Sequence, residues 1–216
     1  MKSFVPSWPA SFLCAHLLVS IAINGLHADL EPNKLKVEVY YETLCPDSMR
    51  FIRNQLYRAM IDDSLLQFSE LVFIPYGKVG SWTDPSTNVT NLYCQHGRKE
   101  CELNALHACI VEHNTIREQL DLITCLLNGY STDIDVCSQY LNIDVTEAKN
   151  CKATRETNEI LQKYGNMTDA IEMTFVPSVG LGGVFDPWKQ RSILYNFPRT
   201  FCRKYREKFD IELKNC

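Results

Sequence analysis

Apolar and polar residues alternate along Leu35–Tyr41, whose sequence is LKVEVYY. This period of two residues predicts a half-buried β-strand. Apolar residues then recur at helical spacing across residues 49–61, and Pro46 stands where the first helical turn would begin. Proline suits that place because the N–H that it lacks would have no partner in a first turn. The pattern therefore predicts a strand that leads directly into a helix.

The next segments predict a second strand and then a long helical region. Residues 69–79 (SELVFIPYGKV) are largely apolar, and Gly77 and Gly80 indicate a turn at their end. Residues 80–91 are polar and rich in residues that interrupt helices and strands, and they predict a loop. Helical periodicity with six cysteines extends over about residues 94–165. We interpret this region as a helical insertion that disulfides hold together.

The last third predicts an edge strand or turn and a terminal helix. Residues 173–179 (MTFVPSV) are apolar but contain Pro177, which favours an edge or a turn and permits a cis bond. The glycines that follow indicate the turns of a hairpin. Residues 190–209 predict a helix that is interrupted at Pro198. The whole order predicts an α/β fold, with a thioredoxin-like core and a disulfide-stapled helical insertion.

The first 28 residues predict an export signal that is removed from the mature chain. Lys2 provides a positive charge, residues 12–23 form a short apolar run, and Ala28 is a small residue at a suitable cleavage position. A buried N-terminal helix or a membrane anchor is the alternative interpretation. Residues 29–216 are then expected to form a single soluble domain, because they contain no apolar stretch of about twenty residues.

The net charge and the glycosylation sequons limit which binding partners and which cellular compartment are expected. A net charge of −4 without a basic patch gives no reason to expect binding to nucleic acid. Asn88 and Asn166 each begin an Asn-x-Thr sequon, and both are expected to be glycosylation sites on the surface. Together with the export signal they predict the secretory pathway without a membrane span. Secretion and lysosomal delivery both remain open.

The number of cysteines predicts one unpaired thiol. Of ten cysteines, Cys14 would leave with the signal, and the odd number that remains implies a free thiol or an intermolecular bond in an oxidising compartment. The eight cysteines expected to form disulfides, with their pairing left open, are Cys94, Cys101, Cys109, Cys125, Cys137, Cys151, Cys202 and Cys216. If residues 94–109 formed one helix, neighbouring cysteines there would lie about 10 Å or more apart. Disulfide geometry would then require Cys94, Cys101 and Cys109 to pair with other segments.

The remaining thiol belongs to Cys45, in the sequence Cys45-Pro46-Asp47-Ser48. This is the spacing of a redox motif with serine in place of the second cysteine, and it lies between the predicted strand and helix. The positive end of a helix stabilises a thiolate, and the Ser48 hydroxyl is expected to add a hydrogen bond, whereas Asp47 would oppose the negative charge. We therefore predict Cys45 as an accessible nucleophile and Ser48 as the position of the missing resolving cysteine.

A second motif begins with the run CQHGRKECELN and extends to Cys109. Its characteristic residues are Cys94, Gln95, His96, Gly97, Glu100, Cys101, Asn104 and Cys109. This segment resembles the signature of the gamma-interferon-inducible lysosomal thiol reductase (GILT) family. The resemblance implies a thioredoxin-like fold and reduction of protein disulfides in the endocytic and lysosomal pathway, with a role in immune defence. The working motif of that family is Cys-x-x-Cys, from which this chain departs at Ser48.

The resemblance also implies that Val176 and Pro177 form a cis-proline loop that faces the thiol and binds substrate backbone. A structural strand end is the alternative for this segment. Neither a cofactor nor a metal is expected, since the cysteines near His96 are interpreted as disulfides rather than zinc ligands. We interpret the other polar residues of the signature as groups that cap helices or satisfy buried backbone. His107 and His113 are interpreted as ordinary packing or surface residues.

These residues predict a thiol oxidoreductase that reduces or isomerises protein disulfides through the single thiol of Cys45. Because serine is a poor nucleophile toward sulfur, turnover would need the substrate's released thiol or an external thiol such as cysteine or glutathione. A weakened monothiol enzyme is therefore expected. A catalytically lapsed binding protein, a covalent thiol trap and a disulfide-linked secreted ligand are the alternatives. The expected partners are disulfide-bonded proteins, and the chain is expected to be a monomer or a disulfide-linked dimer.

Overall fold

A three-stranded mixed sheet lies at the centre of the computed structural model, which describes Met1 and residues 32–216. The strands of this part of the chain are β1 (Leu35–Tyr41), β2 (Ser69–Pro75), β3 (Gly80–Thr83), β4 (Thr90–Tyr93) and β5 (Ser178–Leu181). Strand β1 is the middle strand, parallel to β2 and antiparallel to β5. Apart from Met1, the predicted export signal of residues 1–28 falls outside the described residues.

The helices surround this sheet in chain order. They are α1 (Pro46–Phe51), α2 (Tyr57–Ile61), α3 (Arg98–His113), α4 (Ile116–Leu126), α5 (Ile134–Leu141), α6 (Thr146–Thr154), α7 (Thr157–Asp169), α8 (Gln190–Tyr195) and α9 (Phe197–Phe209). A π-helical segment, Ile52–Leu56, joins α1 to α2, so the helix predicted after Cys45 continues to Ile61. Within residues 32–216, no helix combines the length and the apolar character that crossing a bilayer requires.

The first predicted strand is confirmed with the same bounds. Its apolar positions Leu35, Val37 and Val39 are fully buried, and the polar positions between them are partly exposed. The alternation arises because successive side chains of a strand point to opposite faces of the sheet. Residues 40–43 are all buried, so β1 carries the chain into the interior just before Cys45.

The region between β2 and α3 agrees with its predictions only in part. The second strand ends at Pro75, and the predicted turn at Gly77 is present, with a φ of +65°. Strands β3 and β4 pair as an antiparallel hairpin, with Gly80 opposite Tyr93, where the sequence predicted a loop over residues 80–91. No residue of β3 or β4 is buried, so neither strand shows the apolar alternation from which a strand is predicted.

The C-terminal part follows the predictions more closely. The Val176–Pro177 bond is cis, and β5 is an edge strand of the sheet. The terminal helix is interrupted at Asn196, just before Pro198, which occupies the first turn of α9. Phe197 and Phe201 of α9 are fully buried and lie with their ring centroids 6.0 Å apart, so this helix covers part of the core.

The eight cysteines predicted to form disulfides are bonded in the pairs Cys94–Cys101, Cys109–Cys151, Cys125–Cys137 and Cys202–Cys216. The expectation that Cys94 and Cys101 would pair with other segments is wrong. It assumed one helix over residues 94–109, whereas α3 begins only at Arg98. The chain turns before that helix, and the turn brings the Cα atoms of Cys94 and Cys101 to 5.6 Å.

The topology confirms the predicted α/β fold with a thioredoxin-like core. Strand β1, helix α1 and the parallel strand β2 begin the core, and the cis-proline segment, strand β5 and the last two helices complete it. Because β1 pairs directly with β5, the end of β1 lies beside the segment that leads into β5. The fold therefore brings Cys45 and Pro177 together, although 131 residues separate Cys45 from Val176.

Candidate active site at Cys45

Cys45 caps the N-terminus of α1 and is the only free cysteine in the described part of the chain. Its carbonyl accepts a hydrogen bond from the Met49 N–H at 3.0 Å, which begins the helix. The prediction of an unpaired thiol at the start of a helix is confirmed. The side chain is only 8% exposed, however, so the expectation of an accessible sulfur is wrong. The surrounding loops cover it, and sequence patterns do not report on such contacts.

The cis-proline segment covers the sulfur. The Cys45 thiol donates a long hydrogen bond of 3.8 Å to the carbonyl oxygen of Val176. Val176 is partly exposed and Pro177 is buried. This segment therefore faces the thiol, as the resemblance implied, while its contact with substrate backbone stays a prediction.

Ser48 lies below the thiol in the first turn of α1 and is fully buried. Its Oγ accepts a hydrogen bond of 3.4 Å from the Glu42 N–H. The hydrogen bond of Ser48 is therefore with the backbone that precedes Cys45, whereas the sequence predicted one to the thiolate. Asp47 is exposed and forms an ion pair of 3.0 Å with Arg50, so its carboxylate is directed to solvent.

A cavity of about 410 Å³ lies beside the thiol, between α1, residues 175–177 and α8. Its apolar lining includes Phe51, Phe175, Pro177, Leu194 and Tyr195, and its charged lining consists of Asp47, Arg50 and Arg191. Clefts that combine an apolar wall with a few polar groups are typical binding sites. The lining of this cavity has that mixed character.

Side chains from α3 hold the loop between β1 and Cys45. Asn104 Oδ1 accepts hydrogen bonds from the N–H of Thr43 at 3.0 Å and from its hydroxyl at 2.8 Å. Glu100 Oε2 accepts one from the Leu44 N–H at 3.2 Å. The side chains of Glu100 and Asn104 are fully buried. They accept hydrogen bonds from backbone N–H groups that have no access to water. The interpretation that these signature residues satisfy buried backbone is confirmed.

Glu42 belongs to this site and was missed by the sequence analysis. It is fully buried directly after β1, and its Oε1 accepts a hydrogen bond of 2.6 Å from the Lys78 N–H. Burial raises the pKa of Glu42, the hydrogen bond from Lys78 lowers it, and the nearby Glu100 carboxylate raises it. A carboxylate at the end of an apolar strand, three residues before the thiol, is the signal that could have identified it.

Glu42, His96 and Glu100 also place atoms of the kind that bind metals within 4.8 Å of one another. The shortest of these separations, 2.6 Å between His96 Nδ1 and Glu100 Oε2, is a hydrogen bond. Cys94 and Cys101 are bonded to each other and so have no thiolate to offer a zinc ion. Hydrogen bonding therefore accounts for the arrangement of these side chains.

The remaining candidate residues lie away from the thiol. His107 is buried with its Nδ1 2.9 Å from the Tyr41 hydroxyl, and burial lowers the pKa of His107 to about 3. His113 is exposed at the end of α3, so both histidines agree with their interpretation as packing and surface residues. Asn88 and Asn166 are exposed, as predicted for sequons, although Asn166 lies inside α7.

The sequence of this chain matches a family model and several known proteins. The family model for gamma interferon inducible lysosomal thiol reductase (GILT) matches residues 36–141. GILT-like protein 2 of Drosophila melanogaster is 40% identical over 208 residues, which cover 96% of this chain and 98% of that protein. The gamma-interferon-inducible lysosomal thiol reductase-like protein of Anopheles gambiae is 31% identical over 189 residues, covering 79% of this chain and 77% of its own. The structure of the oxidoreductase NmDsbA1 from N. meningitidis aligns with a TM-score of 0.48 at 13% identity, over 83% of this chain and 87% of that one.

Proposed function

This chain belongs to the gamma-interferon-inducible lysosomal thiol reductase family, and we propose that it is a thiol oxidoreductase that exchanges protein disulfides through Cys45 alone. The observation that carries this proposal is the free Cys45 thiol at the N-terminus of α1, 3.8 Å from the Val176 carbonyl. The thiolate is the form of a cysteine that attacks disulfides. The cleft beside it offers apolar surface to a substrate chain.

The first step is an exchange of one S–S bond for another. The Cys45 thiolate attacks one sulfur of a substrate disulfide, a bond forms between Cys45 and the substrate, and the other substrate sulfur leaves as a thiolate. That thiolate takes up a proton, which balances the proton lost from Cys45. Val176 and Pro177 would contact the substrate backbone on one side of the reacting sulfur.

The second step needs a thiol from outside this site, because Ser48 cannot break the mixed disulfide. If a substrate thiol attacks the substrate sulfur of that bond, Cys45 leaves and the substrate contains a new disulfide, which is isomerisation. If glutathione or cysteine attacks Cys45 instead, the substrate leaves reduced, and a second small thiol then frees Cys45 as a small-molecule disulfide forms. External thiols lack the high effective concentration of a neighbouring cysteine, so reduction should be slow.

We place this activity in the secretory pathway, with the protein either secreted or delivered to lysosomes, and connect it with immune defence. The export signal expected in residues 1–28 supports this setting, as do the exposed sequon residues Asn88 and Asn166. The names of the Anopheles and Drosophila relatives refer to the same lysosomal family. Fractionation of cells from the source organism, with detection of the mature chain and its glycans, would test this setting.

Labelling the native protein with iodoacetamide, followed by peptide mapping, tests the role of the thiol. Selective modification of Cys45 at mildly acidic pH would support the proposal. Slow modification without preference for this residue would instead favour a lapsed binding protein.

Insulin reduction in the presence of glutathione provides the activity test. Wild-type protein should reduce insulin slowly, and Cys45→Ser should reduce none, while the four disulfides within residues 94–216 remain intact. A mixed disulfide between Cys45 and insulin that glutathione does not release would contradict turnover and favour a covalent trap.

A further inference from the structure

A substrate that is bonded to Cys45 has the cavity between α1 and α8 as its neighbour. The lining of this cavity includes Val176, whose carbonyl oxygen lies 3.8 Å from the Cys45 sulfur, and Asp47, two residues after the thiol. Its volume of about 410 Å³ lies within the range of about 300–1,000 Å³ that is typical of ligand sites. The residues that flank the reacting cysteine of a substrate would therefore lie beside this cavity.

More than half of the residues that line the cavity are aliphatic or aromatic. Phe51 is buried and Leu194 is partly buried, whereas Phe175 and Tyr195 keep 39% and 71% of their surface exposed. Exposed aromatic side chains that gather at one site are typical of surfaces that bind other proteins. A substrate with an apolar side chain next to its cysteine would cover these rings and remove them from water.

The charged residues of the lining leave one positive charge without a partner. Asp47 and Arg50 form an ion pair of 3.0 Å, so their charges compensate each other. The third charged residue is Arg191, on the α8 side of the cavity. Among the residues that the structure describes, none forms an ion pair with Arg191, and its side chain is exposed. A carboxylate of a bound substrate would supply the missing negative charge.

The helix that carries Arg191 is held firmly to the sheet. Gln190, directly before Arg191, is fully buried. Its side chain accepts a hydrogen bond of 2.8 Å from the Val179 N–H and donates one of 2.8 Å to the Val179 carbonyl oxygen. Val179 belongs to β5, which pairs with β1, the strand that leads to Cys45. The backbone of Arg191 therefore has a fixed position relative to the thiol, as selection among substrates requires.

We propose that this cavity selects substrates in which an apolar and an acidic residue flank the reacting cysteine, and that Arg191 recognises the acidic side chain. This inference rests on the proposed disulfide exchange and adds a substrate class to it. The apolar wall binds the uncharged side chain, and the Arg191 guanidinium pairs with the carboxylate in a geometry that allows two parallel hydrogen bonds. A basic side chain at the same place is repelled, so acidic segments of disulfide-bonded proteins react in preference to basic ones.

Activated peptides measure this preference in the first exchange alone. Each peptide is acetylated and amidated, its single cysteine is joined to thionitrobenzoate by a disulfide, leucine stands on both sides of that cysteine, and Glu, Gln or Lys occupies both outer positions. Attack by Cys45 on the peptide sulfur releases coloured thionitrobenzoate. Wild-type protein should react about fivefold faster with the Glu peptide than with the Lys peptide, with the Gln peptide between them. Serine in place of both leucines should slow the reaction about tenfold.

Charge reversal at Arg191 tests the assigned residue. In Arg191→Glu the order should invert, with the Lys peptide about fivefold faster than the Glu peptide, while Arg191→Lys should keep the wild-type order. The matched control Arg199→Glu reverses an exposed arginine of α9 outside the lining of the cavity and should keep the wild-type ratio. Because each ratio compares two peptides on the same variant, a general change in the reactivity of the thiol cancels.

Equal rates with the Glu and Lys peptides in wild type would overturn the inference, as would a ratio in Arg191→Glu that matches wild type. If Arg191→Glu slowed only the release of a bound peptide by glutathione, the charge would serve the external thiol, and the inference would be wrong. Each of these results leaves disulfide exchange intact. Failure of wild-type protein to release thionitrobenzoate from any of the peptides would instead overturn the proposed function, and this inference with it.

Discussion

Ser48 and Cys45 together set what this site does at the scale of single residues. The sulfur is free at the start of α1, and the serine three positions later is fully buried with its Oγ accepting from the Glu42 N–H. Oxygen at that position cannot resolve a mixed disulfide, so the proposed exchange would stop after its first step until another thiol arrives. One atom thus separates a monothiol site from the dithiol motif of the family.

Replacing that oxygen by sulfur should restore internal resolution. We expect Ser48→Cys to raise glutathione-driven insulin reduction by more than about tenfold, because a neighbouring thiol acts at an effective concentration that external thiol does not reach. The control Ser69→Cys introduces a cysteine at a buried serine of β2 and should leave the rate unchanged. Absence of any gain from Ser48→Cys would show that more than the second thiol is missing.

His107 should make the folded protein sensitive to acid. Burial lowers the pKa of His107 from 6.5 to about 3, so between these values the unfolded chain takes up a proton that the folded chain does not. The free energy of unfolding therefore falls as pH decreases below about 6.5, by about 2 to 3 kcal/mol at pH 4.5. Glu42 has the opposite effect on stability. Because its pKa is raised in the folded protein, the folded state binds a proton at a higher pH than the unfolded chain does.

The variant His107→Gln tests this assignment. Urea unfolding at pH 7.5 and pH 4.5 should show a loss of stability on acidification that is about 2 to 3 kcal/mol smaller in the variant than in wild type. The exposed His113 provides the control, since His113→Gln should not change the loss. Equal losses for His107→Gln and wild type would contradict the assignment.

At the scale of elements, α3 serves as a support for the end of β1. Residues 100, 104 and 107 are three and four positions apart and so lie on one face of the helix. Their contacts are Glu100 with Leu44, Asn104 with Thr43, and His107 with Tyr41. Successive positions along α3 thus contact successively earlier residues of the loop and strand. The signature of residues 94–109 is therefore the part of the chain that holds the Cys45 loop in place.

The contact between Asn104 and Thr43 can be removed with a single substitution. Asn104→Ala should lower the free energy of unfolding by about 2 to 4 kcal/mol, because the buried N–H and hydroxyl of Thr43 would lose their acceptor. The control Asn150→Ala removes an exposed side chain from α6 and should cost less than about 0.5 kcal/mol. Urea unfolding measures both, and a loss for Asn104→Ala as small as that of the control would show that this contact does not support the loop.

At the scale of the whole molecule, the disulfides differ in what they hold together. Cys109–Cys151 joins α3, which supports the site, to α6, and both of its cysteines are buried. Cys202–Cys216 joins α9 to the C-terminal tail, where Cys216 is exposed. The first bond therefore stabilises the arrangement around Cys45, and the second stabilises a distant end of the chain.

Removal of each bond should separate these roles. In the chain-entropy model, Cys202→Ser with Cys216→Ser should cost about 3 kcal/mol and Cys109→Ala with Cys151→Ala about 4 kcal/mol, with a further loss from buried packing in the second pair. The rate at which Cys45 reacts with 4,4′-dithiodipyridine, a small disulfide, should change only in the double variant that lacks the Cys109–Cys151 bond. Equal changes of that rate in both double variants would contradict a special role for the Cys109–Cys151 bond.

The sequence by itself determined those features that depend on near neighbours or on counting. The alternation of Leu35–Tyr41 and the proline at position 46 were sufficient for β1 and the start of α1, because side-chain direction repeats with a fixed period in each element. Serine at position 48, with an odd number of cysteines once Cys14 of the expected export signal is set aside, predicted Cys45 as the unpaired thiol. Resemblance in residues 94–109 led to the family, which the comparisons show.

The tertiary structure alone decided those features that depend on residues far apart in the chain. Cys45 is only 8% exposed, and its sulfur contacts the carbonyl oxygen of Val176, 131 positions away. The carboxylates of Glu42 and Glu100 meet through His96 because α3 packs against the end of β1, which no local period encodes. The β3–β4 hairpin and the Cys94–Cys101 bond likewise depend on how the chain turns between elements. Local patterns specify the elements, whereas the environment of the thiol arises only when those elements pack.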